Sequence, residues 1–392
     1  METMSKTIRK RDKWHFLRLG AQWDRAAVPI YEAAARGKCV PLLKTLLTSN
    51  CTNECLYCSF RKGRKCPRTT WETRKLAKIT MHLWKQGKIR GLFLTSSVAK
   101  DPDAVTEKQL EVLRYLRTSG YTGYIHLRLM PGTSRHLIKE AVELSDRLGL
   151  NLEAPNKAFF SELCPDKGSY RQDILKRLQW LLNEVQNTKR KREKPRFGFA
   201  KSGVDTQIIV GAVNDNDWQL LQVTEWLYKK LKLKRVYYSG FEPIHQTPLE
   251  NRPPCPPHRE YRLYQASFLI RDYGFTTENL AKIADENGNL PNIDPKLALA
   301  KANHHMFPID LNTAKLEEIL KIPRIGPATA RKILRLRREK KIRFSHDLTP
   351  ILGASLTRKI TPYIEVKDRR LSDFKQETMH AKMLKINKEA FN

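Results

Sequence analysis

The sequence predicts an α/β protein, an incomplete (β/α)6 TIM-like barrel followed by a smaller all-α domain, and three observations carry that prediction. Six short apolar bursts alternate with amphipathic stretches of helix length between residues 39 and 244. The bursts run into loops loaded with polar residues, which is where a βα barrel keeps its chemistry. Past Pro308 the alternation stops, and short helical units, turn signals and dense basic residues replace it. A doubly wound sheet satisfies the same alternation, so the pattern specifies parallel βα units and leaves their closure open.

The elements follow in chain order. Residues 11–37 mix Trp14, Trp23 and aliphatics with charge and end in IYEAAARGK; they read as an N-terminal helical extension over residues 1–38. The strand candidates are CVPLLKTLLTS (39–49), GLFLTSSV (91–98), YIHLRLMPG (124–132), LNLEAPN (150–156), TQIIVGAV (206–213) and RVYYSGFEPI (235–244). Between them KQLEVLRYLRTSG, SRHLIKEAVELSDRLG and WQLLQVTEWLYKKLKL place apolar residues at helical spacing. Five prolines in HQTPLENRPPCPPHR (245–259) exclude both helix and strand and predict a long ordered loop. The helical segment YRLYQASFLIRDYG comes next. The barrel with its closing helices is therefore assigned to residues 39–304, the all-α domain to 305–365, and a basic tail that frays to 366–392.

Composition narrows the partners. The chain has 392 residues, 73 Lys and Arg against 41 Asp and Glu, a formal charge of +32 and a pI near 9.9. Such an excess attracts polyanions, which makes nucleic acid the leading partner class. Neither a signal-peptide core nor 18 uninterrupted apolar residues occurs, so no membrane is expected and the cytoplasm is the expected location. Seven cysteines, an odd number of which three are clustered rather than spread, do not describe a secreted disulfide scaffold.

Three of those cysteines, Cys51, Cys55 and Cys58, lie together in SNCTNECLYCSF, directly after the first strand candidate. A zinc site needs a fourth ligand, for which Cys66 or His82 is available. Burial without a ligand fits poorly, because Asn, Thr, Glu and Ser surround the thiols. A cubane iron–sulfur cluster is the third reading, since one of its irons can stay without a protein thiolate and soft thiolates suit the others.

The arrangement Cys51-x3-Cys55-x2-Cys58, with Tyr57 before the last cysteine, resembles the signature of the radical S-adenosylmethionine superfamily. The resemblance implies a [4Fe-4S] cluster on these cysteines, S-adenosyl-L-methionine chelating its open iron, and a 5'-deoxyadenosyl radical that abstracts hydrogen from a substrate. Where the superfamily carries a Gly-Gly-Glu-like motif this chain has Thr95, Ser96 and Ser97, so hydroxyls and carbonyls take that place. Glu153, at a strand end, reads either as a solvated loop carboxylate or as a ligand of the cofactor ribose or sulfonium side. Arg128 reads as a fork for the cofactor carboxylate or a substrate phosphate, or as an ion-pair partner. TQIIVGA resembles the superfamily strand that lines the adenine, which implies roles for Gln207, Ile209 and Gly211. Tyr238 and Glu242, in YYSGFEPI, are the catalytic candidates, with no chemical role assigned; one of Tyr237 and Tyr238 is expected in ordinary packing. Cys39, Cys66, Cys164 and Cys255 form no second three-cysteine set for an auxiliary cluster and stay available as individual ligands.

In the all-α domain, LEEILKIPRIGPATARKILRLRREKKIRF resembles a helix-hairpin-helix motif, with Leu316, Ile319 and Leu320 facing Ala330, Ile333 and Leu334 across the PRIGP turn. That motif offers backbone N–H groups to a phosphate. Arg324 stands where its first glycine belongs, and Gly326 keeps the second. The nucleic-acid contacts implied are Arg324, Gly326, Ala328, Arg331, Lys332 and Arg335, and DLTPILGASLTRKITPYI reads as a second, degenerate hairpin turning at Gly353. RKGRK (61–65) and KRKREK (189–194) are further basic patches that read either as solvated surface or as contacts for a polyanion, and the first, close to the cysteines in sequence, is the better candidate to guide a strand toward them. Together with KRVYYSGFEP, REYRLYQASFLIRDYGF, DPKLALA, FPIDLN and IGPATARKI, these motifs resemble a radical S-adenosylmethionine family described as DNA modification or repair proteins. That family often accompanies a uracil-DNA-glycosylase-like protein. The resemblance implies radical chemistry on nucleic acid, DNA before RNA, with electrons from a donor such as flavodoxin or ferredoxin. The competing readings are a tRNA- or RNA-modifying enzyme of the same superfamily and a zinc-stabilised, non-catalytic nucleic-acid-binding protein.

Overall fold

The computed structural model describes residues 30–35, 38–190 and 197–367. The expected extension before residue 30, most of the KRKREK patch and the tail beyond residue 367 lie outside these. The described chain divides into two units, one built from residues up to 215 with 226–260, the other from 216–225 with the chain from 261 onward.

The first unit holds a seven-stranded sheet: β1 (Ile30–Ala35), β2 (Lys38–Leu46), β3 (Gly91–Thr95), β4 (Tyr124–Arg128), β5 (Arg147–Gly149), β6 (Val204–Val210) and β7 (Arg235–Gly240). Its spatial order equals its sequence order, and every pair from β2 to β7 is parallel. Right-handed crossovers that always step to the same side curl a sheet toward a barrel, whereas a doubly wound sheet reverses at a switch point. The alternative left open by the sequence is thereby removed: the six parallel strands form a curled half-barrel.

Two stretches differ from expectation. IYEAAA, read as helical from its alanines, is β1, antiparallel to β2 with Ile30 opposite Leu43 and Ala35 opposite Lys38. Ladder bonds to an otherwise open sheet edge outweigh a modest helix propensity. The fourth parallel strand, expected over 150–156, is the short β5 just before it, and the preceding helix ends at Leu144. Asp146 causes the early stop: its carboxylate accepts from Ile125 N (2.9 Å), Gly198 N (3.0 Å) and Arg117 Nη2 (2.9 Å), drawing the chain into the sheet. Beyond β5 the ladder resumes only as a bridge between Glu153 and Ile208.

Helices α1 (Thr73–Lys85), α2 (Pro102–Thr118) and α3 (Arg135–Leu144) follow β2, β3 and β4 in turn, and α4 (Lys157–Leu163) and α5 (Arg177–Arg190) both lie between β5 and β6. Strand parity sorts the side chains into two faces. Leu92, Leu94, Ile125, Leu127, Leu148, Ile208, Val210 and Val236 are fully buried on one, with the helix residues Leu76, Leu110, Leu113, Ile138 and Val142 also buried. Phe93, His126, Arg128, Asp205, Gln207 and Tyr237 share the other, and that inner face is where polar chemistry collects.

Helix α6 (Asp217–Lys229) lies between β6 and β7, and α7 (Pro257–Asp272) follows the proline-rich loop as expected. Composition changes near residue 305, but the second unit already includes the chain from 261, because side chains tie that stretch into it. Glu225 Oε2 accepts from Thr277 N at 2.8 Å, Gln265 Nε2 donates to Asp294 Oδ2 at 2.9 Å, and Lys296 Nζ donates to Ile325 O at 2.5 Å. Here α8 (Thr277–Ala281) and α9 (Pro295–Ala302) precede two short helix pairs. These are α10 (Leu316–Ile319) with α11 (Pro327–Glu339), and α12 (Thr349–Leu352) with α13 (Ala354–Ile360). One apolar cluster serves both pairs, with Ile319, Ile322, Ile325, Ala330, Ile333, Leu348 and Ile360 buried in it. No helix among the described residues is long and apolar enough to cross a membrane.

Candidate active site

At the C-terminal ends of the parallel strands lies a cavity of about 210 Å³. Cys51, Cys55 and Cys58 all line it, together with Tyr57, Thr95, Ser96, Ser97, Arg128, Glu153, Gln207, Ile209 and Glu242. Parity explains the strand residues: Phe93 and Thr95, then Gln207 and Ile209, are alternate positions on the inner face.

The cysteine loop is a built structure. Leu47 N–H donates to Thr95 O (2.8 Å) and Ser97 N–H to Thr48 O (3.0 Å), so the loops after β2 and β3 hold each other. Within the loop, Cys58 N–H donates to Cys55 O at 3.3 Å and Lys62 N–H to Asn53 O at 2.9 Å. The three thiols differ. Burial pushes Cys51 up, and burial with the neighbouring Cys55 charge pushes Cys58 up to about 12. Cys55 moves down instead, because the Cys164 thiol donates to its sulfur and outweighs the cost of burial.

Glu153 has the least ordinary backbone here, a positive φ of 67° at a fully buried residue. Its N–H donates to Gln207 O (3.0 Å) and its carbonyl accepts from Ile209 N–H (2.9 Å), so β6 enforces the conformation. One carboxylate oxygen takes the Lys167 ammonium, while Oε2 is buried with no hydrogen-bond partner. An orphan anionic acceptor on a cavity wall matches hydroxyl or ammonium donors of a bound molecule. The reading of Glu153 as a solvated loop carboxylate is thus corrected. Burial opposes the Lys167 charge, yet Glu153 and the thiols of Cys55 and Cys164 together raise its pKa well above the usual lysine value. The sequence reading missed Lys167, Asn151 and Ser59, which also line the cavity; the available signal was Cys164-Pro-Asp-Lys167, a cysteine-bearing turn close behind a strand-end carboxylate.

Arg128 does two things. It lines the cavity, and its Nη1 donates to Asn151 Oδ1 at 2.9 Å and pairs with Asp205 Oδ1 at 3.0 Å. Asp205, wholly buried, also meets His126 Nε2 at 2.9 Å and Arg147 Nε at 4.0 Å. Burial works against the Asp205 charge, but Arg128, His126 and Arg147 hold its pKa below the ordinary range; burial holds His126 down despite Asp205.

Two candidates fall outside the cavity wall. Tyr238 is buried, with the parity of Val236, on the opposite face from Tyr237 and Ser239; it is Ser239 that reaches the cavity. Gly211, with φ of 82°, has both backbone groups engaged: its N–H donates to Asp215 Oδ2 (3.1 Å) and its carbonyl accepts from Arg252 Nε (2.8 Å). Of this strand segment it is Gln207 and Ile209, not Gly211, that line the cavity. Glu242 is exposed at the rim. The RKGRK patch is partly structural, since Arg61 pairs with Glu54 (2.6 Å) and Arg64 Nε donates to His245 O (2.8 Å); Lys62 and Lys65 are exposed.

Among the described residues no three Cys, His, Asp or Glu side chains converge tightly enough to hold a single metal ion. Cys66 and His82, the proposed fourth zinc ligands, are not on the cavity wall; Cys66 Sγ donates to Ser59 O at 3.4 Å. A structural zinc site lacks its ligand set here, whereas a cubane takes one thiolate per iron corner around a void, which the three cysteines border. The sequence model described as Radical SAM superfamily matches residues 45–189. Those residues form a radical SAM domain. Members of that superfamily use a [4Fe-4S] cluster and S-adenosylmethionine, and the chain is a radical SAM enzyme whose substrate the match leaves unspecified. The radical SAM match spans the cysteines, Thr95 to Ser97, Arg128, Glu153 and Lys167 and stops before Gln207. Solved structures similar to the chain include HydG, a maturase of the [FeFe]-hydrogenase, at 11% identity over 86% of this chain and 82% of that one, with a TM-score of 0.46. Methylornithine synthase (PylB) follows at 16% identity over 60% and 64%, TM-score 0.46. HydG from Carboxydothermus hydrogenoformans gives 13% over 81% and 80%, TM-score 0.45. No curated protein matches the chain in sequence.

Proposed function

We propose that this radical SAM enzyme acts on nucleic acid, DNA before RNA, in modification or repair. The observation that carries the proposal is a row on α11. Ala328, Arg331, Lys332 and Arg335 are exposed at positions i, i+3, i+4 and i+7, hence on one face, with Gly326 as the N-cap and exposed Arg324 in the turn before it. Arg324 has φ of 67°, so it adopts the left-handed conformation that the first glycine of a helix-hairpin-helix turn would supply. The first-turn N–H groups of α11 and this row of cations suit a phosphate backbone and read no sequence. Not every cation in the run serves that purpose: Arg337 Nη1 donates to Ala314 O (2.6 Å), and Lys340 pairs with Asp347 (2.7 Å).

In this reading Cys51, Cys55 and Cys58 would hold the cluster. Glu153 Oε2, Gln207 and the hydroxyls of Thr95 to Ser97 would receive polar groups of S-adenosylmethionine. The bound pair supplies a carbon-centred radical able to take hydrogen from an unactivated position, with electrons from a flavodoxin- or ferredoxin-like donor. The protein's own part is orientation and exclusion of water: Phe93, Leu46 and Ile209 give the cavity apolar walls, and Arg128 offers a cation to an anionic group. A base in duplex has to leave the stack to be reached. The test is an anaerobic assay with deuterated polymers, following label into 5'-deoxyadenosine. Label from DNA supports the proposal; label from RNA alone selects the RNA-modifying reading, and label from neither overturns both.

A further inference from the structure

The cysteine loop is gripped by a segment to which the radical SAM assignment gives no role, Cys164 to Lys167. Leu56 N–H donates to Leu163 O at 2.9 Å, just before that segment. Glu54 N–H donates to both oxygens of Asp166, at 2.7 and 2.9 Å. Cys164, 1% exposed, follows the Leu163 carbonyl and has its thiol beside that of Cys55. Lys167 lines the cavity beside all three cysteines and is ion-paired with Glu153. These interactions place a thiol beside one ligand sulfur and a cation along the wall that the three cysteines share.

We propose that Cys164 and Lys167 tune the reduction potential of the cluster held by Cys51, Cys55 and Cys58, keeping it within reach of a low-potential donor. The step concerned is transfer of one electron from a flavin or iron–sulfur donor protein; no bond forms or breaks and no proton moves. Reduction makes the cluster and its thiolates more negative by one charge. A donor on a ligating sulfur and an ammonium nearby therefore stabilise the reduced form more than the oxidised one. Glu153 opposes this field through the oxygen paired with Lys167, and Lys167 lines the same cavity wall as all three cysteines, so its removal leaves the carboxylate uncompensated there. Cys164 and Lys167 are positioning and tuning residues rather than ligands, and their role is independent of the substrate.

The inference rests on the cluster assignment, so iron and sulfide content is measured first, on the anaerobically reconstituted full chain. A redox titration followed by electron paramagnetic resonance, without S-adenosylmethionine, then gives the midpoint. At a fixed potential Lys167→Gln is expected to lower the reduced-to-oxidised ratio at least tenfold, about 59 mV for one electron. Cys164→Ala is expected to shift the same way by less, and Lys167→Arg to restore the wild-type midpoint. Cys164→Ser, with a hydroxyl in place of the thiol, keeps the test readable if Lys167→Gln takes up no cluster. Unchanged midpoints in the variants that load overturn the proposal, as does lowered iron content with the loaded fraction titrating like wild type, which marks a purely structural clamp. A wild-type chain that takes up neither iron nor sulfide overturns the cluster assignment itself.

Discussion

Two groups of cations in this chain meet opposite conditions. On the inner face of the sheet, Arg128 and Arg147 share the buried carboxylate of Asp205 with His126. On α11, Arg331, Lys332 and Arg335 stand exposed in a row. Inside, desolvation makes each charge depend on its partner, so removing one member leaves the others uncompensated. Outside, water screens the charges; they contribute little to stability and stay available to a polyanion. The same residue type is thus architectural in one place and, in the proposed function, a binding surface in the other.

The largest effect should come from Asp205→Asn, which leaves buried guanidinium groups without their carboxylate and is expected to cost about 3–5 kcal/mol in denaturant unfolding. Its pH dependence has a definite sign. The folded pKa of Asp205 lies below the ordinary aspartate value of about 3.9, so its stabilisation is fully present above that value. It is lost as pH falls through the lower folded value, and the stability gap between wild type and Asp205→Asn should narrow below about pH 4; a gap that widens there contradicts the assignment.

Next is Gly149→Ala. A Cβ at Gly149 would sit 2.4 Å from Asp205 Oδ1 and 2.7 Å from Arg128 Nη1, so the substitution should push the pair apart and cost about 1–3 kcal/mol. Neutral behaviour would mean the cluster is looser than its geometry. A smaller change of opposite sign is expected for Arg324→Gly, which relieves a left-handed non-glycine backbone and should gain up to about 1 kcal/mol while weakening DNA binding. Smallest for stability is the triple variant Arg331→Gln, Lys332→Gln, Arg335→Gln, expected within about 0.5 kcal/mol of wild type. In fluorescence-anisotropy binding to duplex DNA, its log affinity against log salt should flatten by roughly one for each phosphate that a removed cation had neutralised. Strong destabilisation would make that row architectural too and erase the contrast.

Much of the site was legible because it is local in sequence. Three thiols within one short loop, and a polar run where GLFLTSSV ends, announce themselves without a fold. Tyr238 and Gly211 were misplaced for a different reason. Their surroundings depend on strand parity and on which loop packs behind the strand, and a shift of one residue exchanges the two faces of a strand. Lys167 was missed because its importance comes only from distance to Glu153 and the cysteines. A lysine in a polar turn has no signature until the fold carries that turn to the cavity wall.

The sequence by itself determined the βα alternation, the cysteine signature and the excess of positive charge, since periodicity, spacing and composition are properties of a linear string. Only the tertiary structure decided that the sheet curls without reversing, that IYEAAA joins its edge, and that Asp205 neutralises cations from two other strands. Only it decided, too, that Cys164 and Lys167 lie against the cysteine loop. Those outcomes depend on pairing partners far apart in the chain, and a buried charge or an edge strand is stable only through such a partner.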